Sequence, residues 1–489
     1  MGVRALAIIL VALVAACGDP SVSVIDAPGA GGSGDAGVDP NEGAHSGTRL
    51  KLTWFDFSDG TRQWNSFYDA ERKEGCYPYP PWPDGKTYCT PDSNASVVYT
   101  DASCSLKVGQ VYRDPVCTQP PPPYLLEYHY AACSSGPAHL YLRGAKTTVA
   151  QYYSRNYDGS CAGPYTSTSY DFYALGGEIT TDKLVEITYT PGTAAGRLAP
   201  VYYASADGMR LPTRLHDSQL GTDCYPQTYV DGATAGTCIP SGAYYAGDFH
   251  DASCTQPAVG LTNGCSTPQY AEYQPKTACP ADAPHVASIT GAIASVPLFY
   301  WSSTSQVCTA ETGSTNVTYY GVGADVSVPA VTRTVDALVS HRIQLVHYTT
   351  PEGLRFRDYT VYDSLKGADC YPTALPDGTT VCLPYGGYVQ TYYRDAACTQ
   401  AVDLIEVSTG AAGCAAPPAP KYARKYITPQ AGSCQYNVEL HQVATPYAGT
   451  VYTNYGTCAA YTPTTTKLYS IAPASSLNEF VAATQSIDP

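Results

Sequence analysis

The sequence is poor in several residue types, and each shortage excludes a class of protein. Only 14% of the 489 residues are charged, and basic residues are outnumbered 27 to 42, which gives a net charge of −15. A chain this acidic is a poor partner for nucleic acid or for anionic lipid. The apolar run from Ala5 to Ala16 has twelve residues, which is too short to span a bilayer.

Common catalytic and metal-binding motifs are also missing. The sequence contains no C-x-x-C, H-x-x-x-H, H-E-x-x-H or G-x-S-x-G pattern, so the usual zinc sites and hydrolase elbows are absent. A literal G-x-G-x-x-G at residues 29–34 is not flanked by a strand and a helix, so it predicts no nucleotide site. We therefore expect no cofactor.

The first residues have the features of an export signal. Arg4 precedes the apolar run, and the run ends at Val14-Ala15-Ala16-Cys17. This ending resembles the lipobox of bacterial lipoproteins. The resemblance implies cleavage of residues 1–16 and lipidation of Cys17, which would anchor the protein in a membrane. Gly18 after the cysteine implies an outer membrane lipoprotein, at the cell surface or on the periplasmic side. The alternative is an ordinary secretory signal.

The segment that follows, residues 17–47, is rich in Gly, Ala, Pro and Asp and has no aromatic residue. Such a composition predicts a flexible tether. Tethers of this kind resemble those of uncharacterised myxobacterial lipoproteins.

The 19 cysteines become 18 when Cys17 is set aside, and these fall into three sets of six. In an exported chain they are expected to form disulfides. Six cysteines allow fifteen pairings, and we favour sequential pairs in each set. The three sets are Cys76, Cys89, Cys104, Cys117, Cys133 and Cys161; Cys224, Cys238, Cys254, Cys265, Cys279 and Cys308; and Cys370, Cys382, Cys398, Cys414, Cys434 and Cys458.

Other motifs repeat with the cysteines, which predicts three units at 48–195, 196–340 and 341–489. Alternating apolar residues, frequent Asp-Gly pairs and many prolines indicate an all-β fold. Each unit also contains an internal similarity, so we predict a disulfide-rich, six-bladed β-propeller built from three double repeats. The alternative is three tandem disulfide-rich β domains.

Two sets of repeated polar residues need an explanation. Asp101, Asp251 and Asp395 precede a cysteine in VYTDASC, DFHDASC and YYRDAAC. We interpret them as turn aspartates that accept backbone N–H groups, with calcium binding as the alternative. The second set pairs an arginine with an aspartate seven or eight residues later. We predict that these form buried structural ion pairs: Arg62 with Asp69, Arg210 with Asp217, and Arg355 with Asp363. The alternative is a ring of these residues around an axial channel of the propeller.

The strongest compositional feature is tyrosine, with 44 Tyr against 8 Phe and 4 Trp. Tyrosine suits half-buried sheets and also recognition surfaces. We therefore predict a non-enzymatic, lipid-anchored envelope protein that binds a glycan or a protein through Tyr-rich β surfaces. The alternatives are a secreted hydrolase or lyase that uses carboxylates, and a purely structural envelope component. The sequence leaves the oligomeric state open.

Overall fold

A computed structural model describes residues 42–489 except positions 80, 94, 114–119, 132–133, 157–158, 229–232, 276–282, 294–296, 303–306, 337–339, 410–417, 428–436, 455 and 464–465. The predicted signal peptide and the predicted lipidation site, Cys17, lie outside the described residues. So do Cys117, Cys133, Cys279, Cys414 and Cys434.

The described residues form β-strands and two short 3-10 turns, Thr181–Lys183 and Leu477–Glu479. The first third contains β1 (Leu50–Phe57), β2 (Arg62–Asp69), β3 (Glu74–Pro78), β4 (Thr87–Pro91), β5 (Ala95–Tyr99), β6 (Lys107–Tyr112), β7 (Tyr124–Ala131), β8 (Ser134–Thr147), β9 (Tyr152–Arg155), β10 (Cys161–Tyr165), β11 (Tyr170–Ile179) and β12 (Val185–Pro191). The second third contains β13 (Leu198–Ala204), β14 (Arg210–Asp217), β15 (Thr222–Gln227), β16 (Ala235–Pro240), β17 (Tyr244–Tyr245), β18 (Asp248–Phe249), β19 (Pro257–Thr262), β20 (Tyr270–Tyr273), β21 (His285–Ala292), β22 (Leu298–Ser302), β23 (Val307–Glu311), β24 (Val317–Asp325) and β25 (Ala330–Val335). The last third contains β26 (Ile343–Thr349), β27 (Arg355–Asp363), β28 (Ala368–Ala374), β29 (Thr380–Pro384), β30 (Gly387–Tyr393), β31 (Ala401–Ser408), β32 (Tyr422–Ile427), β33 (Asn437–Pro446), β34 (Val451–Asn454), β35 (Cys458–Tyr461), β36 (Thr466–Ala474) and β37 (Ala482–Ile487).

Fifteen of these strands form one closed barrel, in the order β1-β2-β3-β4-β12-β13-β14-β15-β16-β25-β26-β27-β28-β29-β37. Each third of the chain contributes four consecutive strands and one closing strand, and β37 pairs with β1 to close the barrel. The all-β, disulfide-rich prediction is confirmed. The six-bladed arrangement is not what forms, because the fourth strand of each unit pairs with a closing strand of the shared barrel.

Each unit carries one further sheet, which is inserted between the fourth strand and the closing strand of that unit. The first insert contains a small ring of strands in the order β5-β6-β11-β8-β7. The parallel contact between Ser96 and Leu126 closes this ring. A hairpin of β9 and β10 is added to β5. The third insert repeats this ring and hairpin. In the second, the short strands β17 and β18 take the place of one strand.

The barrel core consists of three equivalent clusters, and each one includes residues of two units. The cluster around Leu50, Leu52 and Trp54 also takes in Met209 and Leu211 from the second unit. The other two clusters join the second unit to the third and the third to the first. Burial of these side chains is what holds the units in one body.

The first hairpin turn of each unit also docks on the start of the unit before it. Asp207 Oδ2 accepts the N–H groups of Arg49 and Leu50, each at 2.7 Å. Asp59 Oδ2 accepts the N–H of Ile343 at 2.6 Å. Glu352 packs so closely on Gly196 (φ +66°) that a Cβ at this glycine would lie 2.5 Å from the Glu352 side chain. Equivalent contacts are thus made three times around the barrel, and the first unit docks on the third.

Six disulfides have both cysteines in the described residues. The sequential pairing is right for Cys76–Cys89, Cys224–Cys238 and Cys370–Cys382, which join the two strands of a barrel hairpin. It is wrong for Cys104, Cys254 and Cys398, which bond to Cys161, Cys308 and Cys458 across 57, 54 and 60 residues. The reason is that the inserted hairpin pairs back onto the strand before the first cysteine, so distant residues become neighbours.

Candidate functional site

The second barrel strand of each unit is interrupted by a bulge at the same place. Pairing between β1 and β2 passes from Thr53–Ser66 to Trp54–Trp64 and skips Asn65. Pairing between β13 and β14 skips Thr213 in the same way. In the third unit, pairing passes from Leu345–Val361 to His347–Arg357, so residues 358–360 form a wider bulge. Bulges bend a strand and redirect its side chains, often beside functional sites.

These bulges meet at the centre of the barrel, where β27 contacts both β2 and β14 without pairing with either. Gln63 Nε2 donates to the backbone oxygen of Asp358 at 3.1 Å, and Arg357 Nε donates to Gln63 Oε1 at 3.0 Å. The rings of Trp64 and Tyr359 lie 4.7 Å apart, edge to face. The three units therefore touch at their bulges, around a pseudo-threefold axis.

Tyrosines from all three units surround this axis. Tyr77, Tyr225 and Tyr371 each follow a buried cysteine, so they point to the opposite face of their strand. Tyr77 and Tyr371 occupy equivalent positions and yet lie close enough that Tyr77, in addition to burial, raises the pKa of Tyr371. Residues related by a threefold axis approach each other in this way only when both lie near that axis. Tyr225 interacts with Tyr359 in the same manner, and Tyr385 with Tyr371. We call Tyr77, Tyr225, Tyr359, Tyr371 and Tyr385 the axial tyrosine cluster.

The cluster is partly open to solvent. Tyr77, Tyr225, Tyr359 and Tyr385 expose 40–46% of their surface. Burial nevertheless raises the pKa of Tyr359 to about 12, with the neighbouring Tyr225 acting in the same direction. Burial also raises the pKa of Tyr371 and Tyr385. These rings are therefore partly exposed to solvent and partly covered by neighbouring groups. Aromatic rings with a few polar groups commonly line ligand sites.

Charged side chains accompany the cluster. Arg214 lies over the Tyr189 ring at 3.8 Å and pairs with Asp223 at 3.0 Å. Asp369, the counterpart of Asp223 in the third unit, pairs with Arg333 of β25. The Asp358 carboxylate accepts a hydrogen bond from Thr360 Oγ1 at 3.0 Å and one from the Tyr348 hydroxyl. The site therefore combines aromatic rings with both donors and acceptors.

A second polar cluster occupies the axis near the turn end of β27. His347 is fully buried, and its Nε2 contacts Glu42, a residue of the predicted tether. Its Nδ1 lies 3.1 Å from both Asp336 and Arg355. Arg357 is buried beside it and donates to the backbone oxygen of Arg62, and burial lowers the pKa of Arg357 to about 10. This cluster is closed, so it fastens residue 42 to the barrel rather than offering a binding surface.

The sequence belongs to a family that its pattern of repeats did not identify. A family of unknown function, DUF7481, matches residues 28–480. The chain belongs to this family. No curated protein and no solved structure matches the chain. Among the residues that the structure describes, no helix has the length and apolar character needed to cross a membrane.

The repeated aspartates of the inserts form turns. Asp251 Oδ1 accepts the N–H groups of Thr255 at 2.8 Å and Gln256 at 2.7 Å. Asp101 and Asp395 make the same two contacts in their units. The following cysteine adopts a positive φ of 49–51° in all three and carries the disulfide. These are the contacts of an Asx-type turn. Within the described residues no group of three or more His, Cys, Asp or Glu is arranged to hold a metal ion.

The predicted pairing of repeated arginines with repeated aspartates is wrong. Arg62 contacts Asp56 and Asp488, Arg210 lies over the Tyr202 ring at 3.6 Å, and Arg355 pairs with Asp336. Each arginine begins a strand that its predicted partner ends, so the two are roughly 23 Å apart at 3.3 Å per residue.

The buried aspartates instead pair with arginines that precede the first strand of each unit. Arg49 binds Asp69 through two hydrogen bonds, Arg197 binds Asp217, and Arg342 binds Asp363. The first strand runs antiparallel to the second, so its start lies beside the end of the second. The sequence contains the signal for these residues, because Arg-Leu or Arg-Ile begins each unit.

Proposed function

We propose that the protein is a lipid-anchored binding protein of the cell envelope that holds a glycan in the axial tyrosine cluster. The observation that carries the proposal is the meeting of partly exposed tyrosines from three units beside the contact between the bulges. Tyrosine rings stack on the apolar faces of sugars, and their hydroxyls bond sugar oxygens. The net charge of −15 disfavours a nucleic acid as the ligand.

The location of the protein follows from its disulfides and its first residues. Six disulfides in the described residues are typical of an extracytoplasmic protein. The finer location rests on the lipobox-like sequence at Cys17, which favours a lipid anchor, and on Gly18, which favours the outer membrane. The tether that follows reaches the barrel at Glu42, where the contact with His347 fastens it.

Pull-down with insoluble polysaccharides tests the proposal. Purified protein is mixed with cellulose, chitin, chitosan and peptidoglycan sacculi, and bound protein is measured. We expect retention by at least one polymer, and loss of retention in the double variant Tyr225→Ala/Tyr359→Ala. The matched control is Tyr245→Ala, because Tyr245 is 65% exposed on the second insert and outside the cluster.

Equal retention of both variants would contradict a site at the axis, and no retention by any polymer would contradict glycan binding. Release of reducing ends from a polymer would instead support the alternative of a carboxylate-dependent hydrolase.

A further inference from the structure

Asp358 differs from the other acidic residues at the axis. Asp223 and Asp369 each pair with an arginine. Within the described part of the chain, Asp358 forms no ion pair, and its carboxylate is held by Thr360 and the Tyr348 hydroxyl. A carboxylate held by neutral donors keeps its charge available for a ligand.

The nearby guanidinium groups are directed elsewhere. Arg357, the preceding residue, donates to Gln63 and to the backbone oxygen of Arg62. Arg424 lies over the Tyr385 ring at 5.5 Å and donates to the backbone oxygens of Pro384 and Leu383. Neither group therefore neutralises Asp358.

The Tyr359 and Tyr385 rings lie close enough to Asp358 that, in addition to burial, its charge raises their pKa. Tyr359 follows Asp358 in the bulge and exposes 46% of its surface, and Tyr385 exposes 44%. Tyr348 is buried and provides the hydroxyl bound to Asp358. An ammonium group placed here would contact the negative faces of the rings and the carboxylate together, which is how aromatic sites recognise organic cations.

We propose that Asp358 makes the axial tyrosine cluster selective for a cationic sugar, that is, an amino sugar with a free ammonium group. This inference rests on the proposed glycan-binding function and adds the charge of the ligand. The acidic residue occurs in one unit, because the unpaired bulge of β27 contains Asp358, whereas the residues skipped in the other two bulges are Asn65 and Thr213. One chain therefore provides one ammonium position.

Titration calorimetry with two oligosaccharides tests the selectivity. The probes are a glucosamine hexamer and the N-acetylglucosamine hexamer, at a mildly acidic pH that keeps the amines protonated. We expect the wild-type protein to bind the glucosamine hexamer about tenfold more tightly, which corresponds to ~1.4 kcal/mol. Asp358→Asn is expected to abolish the difference while still binding both hexamers. Asp377→Asn, in an exposed turn, is the matched control and should keep the preference.

The outcomes separate this inference from the proposed function. Equal affinities of the wild type for the two hexamers, or a preference that survives in Asp358→Asn, would overturn the selectivity and leave glycan binding intact. Absence of binding to either hexamer, together with no retention by any polymer in the pull-down, would overturn both. A thermal melt of Asp358→Asn that matches the wild type shows that the variant is folded.

Discussion

The barrel and the three inserted sheets obey the same threefold repeat but have diverged to different extents. In the barrel, every unit keeps an Arg–Asp pair, a docking turn, a disulfide hairpin and a bulge at equivalent positions. In the inserts, one equivalent position is held by Val98, Asp248 and Tyr392. Val98 and Tyr392 are buried, whereas burial and the neighbouring Glu311 raise the pKa of Asp248. The difference indicates that contacts between units constrain the barrel, whereas each insert packs within its own unit.

The largest expected effect comes from breaking a buried pair of the barrel. Asp217 is fully buried, binds Arg197 twice, and accepts the N–H groups of Gln219 and Leu220. Asp217→Ala leaves these donors without an acceptor and is expected to lower the free energy of unfolding by roughly 3–5 kcal/mol. Urea denaturation followed by tryptophan fluorescence measures this loss. A loss below about 1 kcal/mol would show that the pair acts as an exposed one.

Removing disulfides compares the two regions directly. The Cys224–Cys238 bridge of the barrel closes 14 residues, and the Cys254–Cys308 bridge of the second insert closes 54. Loop-closure entropy predicts losses of about 3 and about 4 kcal/mol for the two double alanine variants. Denaturation of both variants shows which one loses more free energy of unfolding. The reverse order would mean that packing of the barrel sulfurs, which are fully buried, outweighs loop closure.

Alkaline titration examines tyrosines of both regions. Burial raises the pKa of Tyr348 and Tyr359 in the barrel, and of Tyr99, Tyr124 and Tyr273 in the inserts, to about 12. Since the folded pKa is raised, the stabilisation is fully present below the ordinary pKa of 10.0 and is lost as pH rises toward about 12.

We therefore expect phenolate absorbance to rise in two steps, the second accompanied by unfolding. Tyr359→Phe should reduce the amplitude of the second step. A single step with its midpoint near the ordinary pKa would contradict the burial of these rings.

The smallest effect is expected in the turns of the inserts. Hydrogen bonds from Ser253, Gln256 and Thr255 outweigh desolvation and lower the pKa of Asp251. The turn is therefore stabilised above the ordinary pKa of about 4 and loses this support as pH falls below it. Asp251→Ala should speed hydrogen exchange at Thr255 and Gln256 and leave global unfolding unchanged. A loss of unfolding free energy as large as that of Asp217→Ala would contradict the expected difference between the barrel and the inserts.

Local features of this fold could be predicted from the sequence, and long-range ones could not. Period-two alternation, Asp-Gly turns and the aspartates at 101, 251 and 395 report contacts within a few residues. The sequences of the closing strands β12, β25 and β37 do not indicate their distant partners, so the sequence does not predict the barrel. The pairing of Cys104 with Cys161 depends on how a hairpin folds back.

The candidate site was only partly predictable. Tyr77, Tyr225 and Tyr371 could be found as a repeated Cys-Tyr-Pro motif. Their approach to one another could not, because it depends on three units closing around an axis. The interval from Arg355 to Asp363 is one residue longer than its counterparts. That extra residue is a sequence signal of the wider bulge that presents Asp358 and Tyr359.

The cyclic docking of the hairpin turns has a consequence for how the protein matures. Asp59, near the start of the chain, docks on Ile343, and β1 pairs with β37. A chain that is made from its N-terminus therefore cannot complete its first unit until the last has been added. Incomplete chains would expose the unpaired edge of β1, where proteases act. The closed ring thus makes the final fold depend on a full-length chain.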